Sequence, residues 1–279
     1  MDVGTGLAVL GSANIVGKIL GPTAGYLGEG LKTWTERRIN NLNRIFEAAA
    51  RRLGEKLDEP GAVPPRVLKG ILTDGSFCED ALSAEYFGGI LASSRSGVAR
   101  DDRGAAFVEL LSRLTTYEIR AHYVFYACVK LACDGGNVLT SENRRKARIF
   151  IGDAAWFRAM GVEENEDWPA IKGHVLFGLS AHELIGPEFG AGTIGSLRED
   201  TSFLAAAGQV SESDVPDANG AVFEPTYVGA ELFLWAHGCS QVGVHRFLAE
   251  DFSFSQSPHV QLDECAIRRV QGWAKVSGP

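Results

Sequence analysis

The chain has 279 residues, of which 45% are hydrophobic and 22% charged, and its 27 basic and 35 acidic side chains give a net charge of −8. This composition is typical of a folded globular protein with one large or two smaller domains, and it argues against a disordered chain. The negative charge disfavours binding to phosphate backbones and anionic lipid. Neither a secretory signal nor a membrane-spanning helix is expected, because no basic segment follows Met1 and no stretch of 18 residues is continuously apolar.

Charge is unevenly distributed along the chain. Residues 31–70 contain nine Lys or Arg against five Asp or Glu, a balance of +4, whereas residues 151–225 contain three against thirteen, a balance of −10. The basic stretch is typical of a solvated helix face, with a polyanion-binding patch as the alternative, and the acidic stretch suits a basic partner or subunit. The five cysteines lack zinc-knuckle spacing, which predicts free thiols in a reducing cytoplasm.

Residues 1–22 form a Gly-rich arm with a weak apolar stripe, made of Leu7, Leu10, Ile15, Ile19 and Leu20. Each glycine costs a helix roughly 1 kcal/mol relative to alanine. The arm is therefore expected to dock on its own core or on a neighbouring subunit. The alternative is contact with a membrane interface, which would place a cytoplasmic protein at the periphery of the inner membrane.

Residues 23–137 read as a helical domain that opens with a long amphipathic helix, Thr23 to about Leu57. Its apolar positions recur at helical spacing: Leu27, Leu31, Trp34, Leu42, Ile45, Ala49 and Leu53. The opposite face carries Arg37, Arg38, Arg44 and Arg51, which together with the stripe of the arm form the candidate interaction surface. Further helices are predicted around residues 65–72, 79–94, 106–114 and 116–131, so that the domain is a helical bundle.

Residues 138–249 read as a helical α+β domain. The pattern predicts a helix from Ser141 through Ile149 and Phe150 towards Met160, and a second helix opened by Trp168-Pro169. Residues 186–195 are expected to be a loop. Two short strands, 209–211 and 220–224, would form a hairpin before a helix that begins at 225–226 and ends at 237–238. This order is winged-helix-like, and residues 250–279 form a C-terminal extension. The predicted fold class is mainly α.

Several phrases, in the same order, are similar to those of the bacterial abortive-infection alpha (Abi-alpha) family. They are ILGPTAGYLGEGL at 19–31, NNLNRIF at 40–46, PPRVLKGIL at 64–72, the helix at 77–94 and FEPTYVGAELF at 223–233. The resemblance covers roughly residues 15–238 and implies a role in phage defence by abortive infection. It implies no catalytic residue and no cofactor, because none of these phrases is a catalytic signature.

Two motifs that suggest chemistry are incomplete. Gly190 to Gly195 matches G-x-G-x-x-G, but a dinucleotide site needs this turn directly after a buried strand, and Gly186-Pro187-Glu188-Phe189 does not read as one. His182-Glu183 begins a zinc-protease motif, but the second histidine is replaced by Gly186. We interpret both segments as structural.

Two further clusters could bind metal. His237, Cys239 and His245 are soft ligands, with His259 and Cys265 as further donors, but a helix-capping histidine and a buried thiol are the expected reading. The acidic run at 163–167 precedes Trp168-Pro169, where negative charge favours a helix start over cation binding.

These observations favour a protein that acts by binding, through self-association or a protein partner, without a cofactor. A nucleic-acid-binding regulator is the alternative, but its reading helix near residues 200–207 and its hairpin tip carry acidic side chains, so nucleic acid is not the expected partner. A nuclease or NAD hydrolase is the second alternative, although no catalytic signature indicates an enzyme.

Overall fold

A computed structural model describes residue 18 and residues 36–98, 100–132, 139–140, 144, 149–193 and 219–262. Within these ranges the protein is mainly helical with one small antiparallel sheet, which confirms the predicted fold class. The chain divides into two compact units. Unit 1 comprises residues 1–116 and 234–241, and unit 2 comprises residues 117–233 and 242–279. No helix in the described ranges is both long and apolar enough to cross a membrane.

The described part of unit 1 includes four α-helices that lie wholly within it and two 3-10 turns. The α-helices are α1 (Glu36–Leu53), α2 (Pro65–Thr73), α3 (Ala81–Ser94) and α4 (Gly104–Ser112), and the 3-10 turns are Gly54–Asp58 and Gly75–Phe77. The first helix therefore ends four residues before its predicted end, because the chain turns at Gly54, whose φ of +53° is a left-handed conformation that glycine adopts easily. Residues 23–35 of the predicted helix lie outside the described ranges.

Helix α3 is the core of unit 1. Every residue from Leu82 to Ser94 is buried, large side chains such as Tyr86 and Phe87 as well as small ones, and α1 packs along the helix. Asp80 begins the helix by accepting a hydrogen bond from the Ser83 amide at 2.9 Å. Gly88 and Gly89 allow the closest backbone approaches, to α1 and to Ala236 respectively. The apolar spacing of this helix predicts that Leu82, Tyr86, Phe87, Ile90 and Leu91 lie inward, and all five are buried, but burial extends around the whole circumference of the helix.

Unit 2 contains a three-stranded antiparallel sheet with the strand order β1-β3-β2. Its elements are α5 (Thr116–Ala132, from residue 117 onward), β1 (Ile149–Gly152), α6 (Asp153–Met160), α7 (Trp168–Ala181), β2 (Gly190–Thr193), β3 (Asn219–Phe223) and the first part of α8 (Tyr227–Ala236). Helix α5 packs its aromatic side chains near the sheet, where the Phe125 and Phe223 rings stack at 4.0 Å. The predicted boundary at 137/138 differs from the division between the units at 116/117, because α5 packs within unit 2.

Two predicted elements around the sheet are wrong. The predicted helix from Ser141 towards Met160 is interrupted by a strand at residues 149–152, because a β-branched and aromatic run pairs well with a neighbouring strand. Arg144 is helical as predicted, and a separate helix begins at Asp153. Residues 190–193, predicted as loop, form edge strand β2. The strand predicted at 220–224 is confirmed, but both of its edges are occupied by β1 and β2. Residues 209–211, its predicted hairpin partner, lie outside the described ranges.

Candidate interaction surface

Two of the arginines predicted as an interaction surface, Arg38 and Arg44, contact unit 1 itself. Arg38 donates to the Ser76 hydroxyl from Nε at 3.1 Å and from Nη2 at 2.9 Å, and its guanidinium lies 4.1 Å from the centre of the Phe77 ring. Arg44 donates to the Glu79 carbonyl at 3.2 Å. These contacts hold α1 against the turn before α3, so Arg38 and Arg44 have a structural role.

The exposed face of α1 is mixed in charge. Asn40, Arg44, Glu47 and Arg51 occupy one solvated stripe, so that an acidic side chain separates the two arginines. Arg51 also lies 3.8 Å from the buried Glu85 carboxylate. A mixed stripe of this kind is typical of a solvated helix face, and it gives a polyanion no continuous row of cations.

Part of the predicted surface cannot be placed. Arg37 belongs to α1, but its side chain and the whole predicted stripe of the arm lie outside what the structure describes. Those five arm residues are Leu7, Leu10, Ile15, Ile19 and Leu20. Their role as an interaction surface stays a prediction.

One residue of the arm, Lys18, is attached to unit 1. The Arg95 guanidinium donates from Nε to the Lys18 carbonyl at 2.9 Å and from Nη1 to the Lys56 carbonyl at 2.8 Å. It also donates to the carbonyls of Leu57 and Glu59. Carbonyls at the end of a helix attract cationic donors, so Arg95 joins the arm to the end of the 3-10 turn that follows α1.

Substitution of Arg95 by glutamine is expected to speed tryptic cleavage after Lys18. The substitution removes the charged donor that holds the Lys18 carbonyl, and loss of roughly 1.4 kcal/mol would raise the open population, and hence the cleavage rate, about tenfold. The mass of the product that begins at residue 19 reports the rate. Arg66→Gln removes an exposed pair with Asp102, 3.5 Å away, and is the control. Equal cleavage of Arg95→Gln and wild type would contradict this anchor.

A buried hydrogen-bond network in unit 2 contains the side chains best suited to chemistry. The Tyr126 hydroxyl donates to the Leu184 carbonyl at 2.7 Å and accepts from the Thr226 amide at 2.8 Å. The His122 ring stacks on Tyr126 with 4.6 Å between centroids, and its Nε2 lies 3.0 Å from the Gly229 carbonyl. Since a carbonyl only accepts, Nε2 carries the proton.

Burial holds these groups in their neutral forms. Desolvation lowers the pKa of His122 to about 3 and raises the pKa of Tyr126 above its usual value of 10. Both side chains are fully buried. The network therefore joins α5, the turn after α7 and the start of α8, and its geometry supports a structural role.

The described thiols are also disfavoured as nucleophiles. Burial raises the pKa of Cys128 to about 12 and that of Cys78 to about 11, and it raises the pKa of Cys239 as well. A nucleophilic cysteine needs a lowered pKa. These three are free thiols, as predicted.

Within the described ranges, no three His, Cys, Asp or Glu side chains are grouped to hold a metal ion. The soft-ligand cluster predicted from His237, Cys239, His245 and His259 is thus not assembled there, and Cys265 lies outside those ranges. In the acidic run, the Asp167 carboxylate accepts from the Ala170 amide at 3.2 Å. The expected helix-start role of this run is confirmed at Asp167, which caps α7.

The G-x-G-x-x-G segment is part of the sheet. Gly192 of β2, Gly220 of β3 and Gly152 of β1 lie in one row across the three strands. A Cβ on Gly220 would lie 2.3 Å from the Phe150 ring, so this row allows close packing. The first part of the motif is therefore an antiparallel edge strand, whereas a dinucleotide site requires a turn between a strand and a helix.

The His182-Glu183 segment lies where α7 ends. His182 is the C-cap residue of the helix, and Glu183 follows with a left-handed φ of 58°. The Glu183 carbonyl accepts from the Thr226 hydroxyl at 2.6 Å, which helps to hold this turn. The segment ends a helix, whereas a zinc-protease motif lies within one.

An exposed aromatic surface in unit 2 was not predicted. Phe177 on α7 is 71% exposed, and its ring meets Phe189 edge to face with 5.3 Å between centroids. Ala170, His174 and Ala181 are exposed at helical spacing on the same face of α7. We call these five residues the Phe177 surface.

Acidic side chains flank the Phe177 surface along the chain. Exposed Glu163, Glu164 and Asp167 precede α7, and exposed Glu183 and Glu188 follow it. Residues 149–193 contain seven acidic and two basic side chains, a balance of −5. One of the two bases, Lys172, pairs with Asp153 at 2.9 Å, so the exposed character of this region is acidic.

Sequence reasoning identified the buried face of α7 but not this surface. The apolar positions that the sequence places on this helix include Val175, Leu176 and Leu179, and all three are buried. Phe177 lies about 200° around the helix from Val175 and Leu179. This departure from the apolar stripe is the signal that would have identified it.

No family model, curated protein or solved structure matches this chain.

Proposed function

We propose that this protein is a bacterial antiphage defence protein of the abortive-infection type, and that it acts by binding another protein rather than by catalysis. The defence role rests on the resemblance of residues 15–238 to the Abi-alpha family. The mode of action rests on the Phe177 surface.

The single observation that supports binding is the exposure of Phe177 beside Phe189. Exposure of a large aromatic side chain forgoes about 1.5–3 kcal/mol of burial energy. Aromatic residues are enriched in protein interfaces, where they act as anchors. The buried ionisable groups of unit 2, by contrast, have pKa values that favour their neutral forms, which supports a structural use of those side chains.

Phage plating on bacteria that express the full chain tests this function. We expect fewer plaques, or earlier death of infected cells, than with an empty vector. Equal plaque numbers and equal survival across a panel of unrelated phages would contradict the defence role.

The arm is the alternative interaction element, through a membrane or a second copy of the chain. A chain that lacks residues 1–22 tests it in the same assay. Loss of protection with an unchanged circular dichroism spectrum would favour the arm, and retained protection would remove it. Arg95 and Lys18 give the arm a docking point on unit 1, which favours docking over lipid contact.

A further inference from the structure

We propose that the Phe177 surface binds a basic amphipathic helix of a protein partner. This inference deepens the proposed function, and it rests on that function only in treating the surface as a binding site. The surface combines Ala170, His174 and Ala181 along one helix face with the aromatic pair of Phe177 and Phe189. Acidic residues precede and follow the helix in the chain.

The apolar part of the surface suits a helical segment. Ala170, His174, Phe177 and Ala181 are spaced by four, three and four residues, so they form one stripe along the exposed side of α7. Gly173 lies in the same helix, and a Cβ there would meet no atom within 4 Å, whereas Gly178 faces Glu118, whose carboxylate a Cβ would approach to 1.7 Å. Such a stripe allows close approach of a second helix, with Phe177 projecting as the anchor.

The charge of the region identifies the partner as basic. Glu183 and Glu188 are exposed after α7, and Glu163, Glu164 and Asp167 are exposed before it. A partner with Lys or Arg beside its apolar stripe would complement both groups. The same charge repels nucleic acid and anionic lipid, whose binding requires cations on the protein.

A symmetric contact between two copies of this surface is disfavoured for the same reason. An isologous interface brings together the same patch of two copies, and because acidic side chains lie in the chain before and after α7, acidic side chains of one copy would face those of the other. The partner is therefore chemically different from this surface. A basic amphipathic helix has both the shape and the positive charge that complement the described residues.

Binding of two designed peptides to the full chain tests the proposal. One peptide is a helix of leucine and lysine, and its twin replaces each lysine with glutamate. Fluorescence anisotropy should show binding of the basic peptide, weakening as salt is raised, and no binding of the acidic twin. Phe177→Ser should weaken binding of the basic peptide at least tenfold, and Glu188→Lys should weaken it severalfold.

Phe77→Ser in unit 1 is the matched control. Phe77 is 66% exposed, but Arg38 lies over its ring, and it belongs to the other compact unit. This variant should bind the basic peptide as wild type does. Equal affinity of wild type and Phe177→Ser, or equal binding of the two peptides, would overturn the proposal.

Three outcomes separate the alternatives. A dimer in sedimentation that Phe177→Ser abolishes would assign the surface to a second copy and overturn the proposed partner. Phage protection without peptide binding would leave the defence role in place and reject this occupant. Peptide binding without phage protection would support the occupant and reject the defence role.

Discussion

Replacement of Gly89 by valine is expected to destabilise unit 1 strongly, because the backbone of Ala236 occupies the space that a side chain would need. A Cβ at this position would lie 1.8 Å from the Ala236 carbonyl oxygen and 2.2 Å from its carbonyl carbon. Both contacts are with backbone, so a change of side-chain rotamer cannot relieve them. Overpacking in a dense core typically costs about 1–3 kcal/mol, and we expect a loss of at least about 3 kcal/mol in the free energy of unfolding.

Urea unfolding followed by circular dichroism measures this loss. Gly97→Ala is the matched control, because a Cβ on Gly97 meets no atom within 4 Å and its φ is not left-handed. Its effect should stay within about 0.5 kcal/mol of wild type. A Gly89→Val protein as stable as Gly97→Ala would show that α3 does not approach Ala236 as closely as described.

The second large effect is a loss of stability in acid that originates at His122. Burial lowers the pKa of His122 from 6.5 to about 3 in the folded protein, so between these values the unfolded chain binds a proton that the folded chain does not. Stability is therefore complete above pH 6.5 and falls as the pH is lowered. The slope is about 1.4 kcal/mol per pH unit, which gives a loss of about 2–3 kcal/mol by pH 4.5.

His122→Gln isolates this contribution. Glutamine does not titrate but keeps an N–H donor for the Gly229 carbonyl, and all other ionisable groups are common to both proteins. Free energies of unfolding measured from pH 7.5 to 4.5 should fall less steeply in the variant. Below pH 6.5 the slopes of the two proteins should differ by about 1.4 kcal/mol per pH unit, which corresponds to one bound proton. Parallel curves would contradict the buried, neutral state of His122.

Local signals predicted the helices well. The Trp168-Pro169 start of α7, with Asp167 as its cap, and the end of α8 before Gly238, whose φ is +76°, follow from capping and turn chemistry that adjacent residues supply. The inward face of α3 follows from its apolar spacing. These features need no knowledge of distant parts of the chain.

Strands β1 and β2 were missed because their signals depend on distant pairing. Ile149-Phe150-Ile151 is short enough to fit a helix or a strand, and only its pairing with β3, some seventy residues later, makes it a strand. The Gly190–Thr193 strand has almost no side chains, so no alternation marks it. Non-local pairing decides the structure of both segments.

The candidate interaction residues also depend partly on local signals and partly on distant contacts. The arginines of α1 are visible in the sequence, but their partners are not, and Arg38 and Arg44 prove to be bound to the turn before α3. Phe177 lies outside the apolar stripe of α7, so its position in the helix indicates its exposure, but its contact with Phe189, twelve residues later, is not visible in the sequence.

The central claim is that an exposed surface, rather than a reactive group, carries the activity of this protein. Plaque counts on bacteria that express wild type, Phe177→Ser or Phe77→Ser at equal levels test that claim most directly. We predict protection by wild type and by Phe77→Ser, and loss of protection in Phe177→Ser without loss of folded protein. Full protection by Phe177→Ser would contradict it.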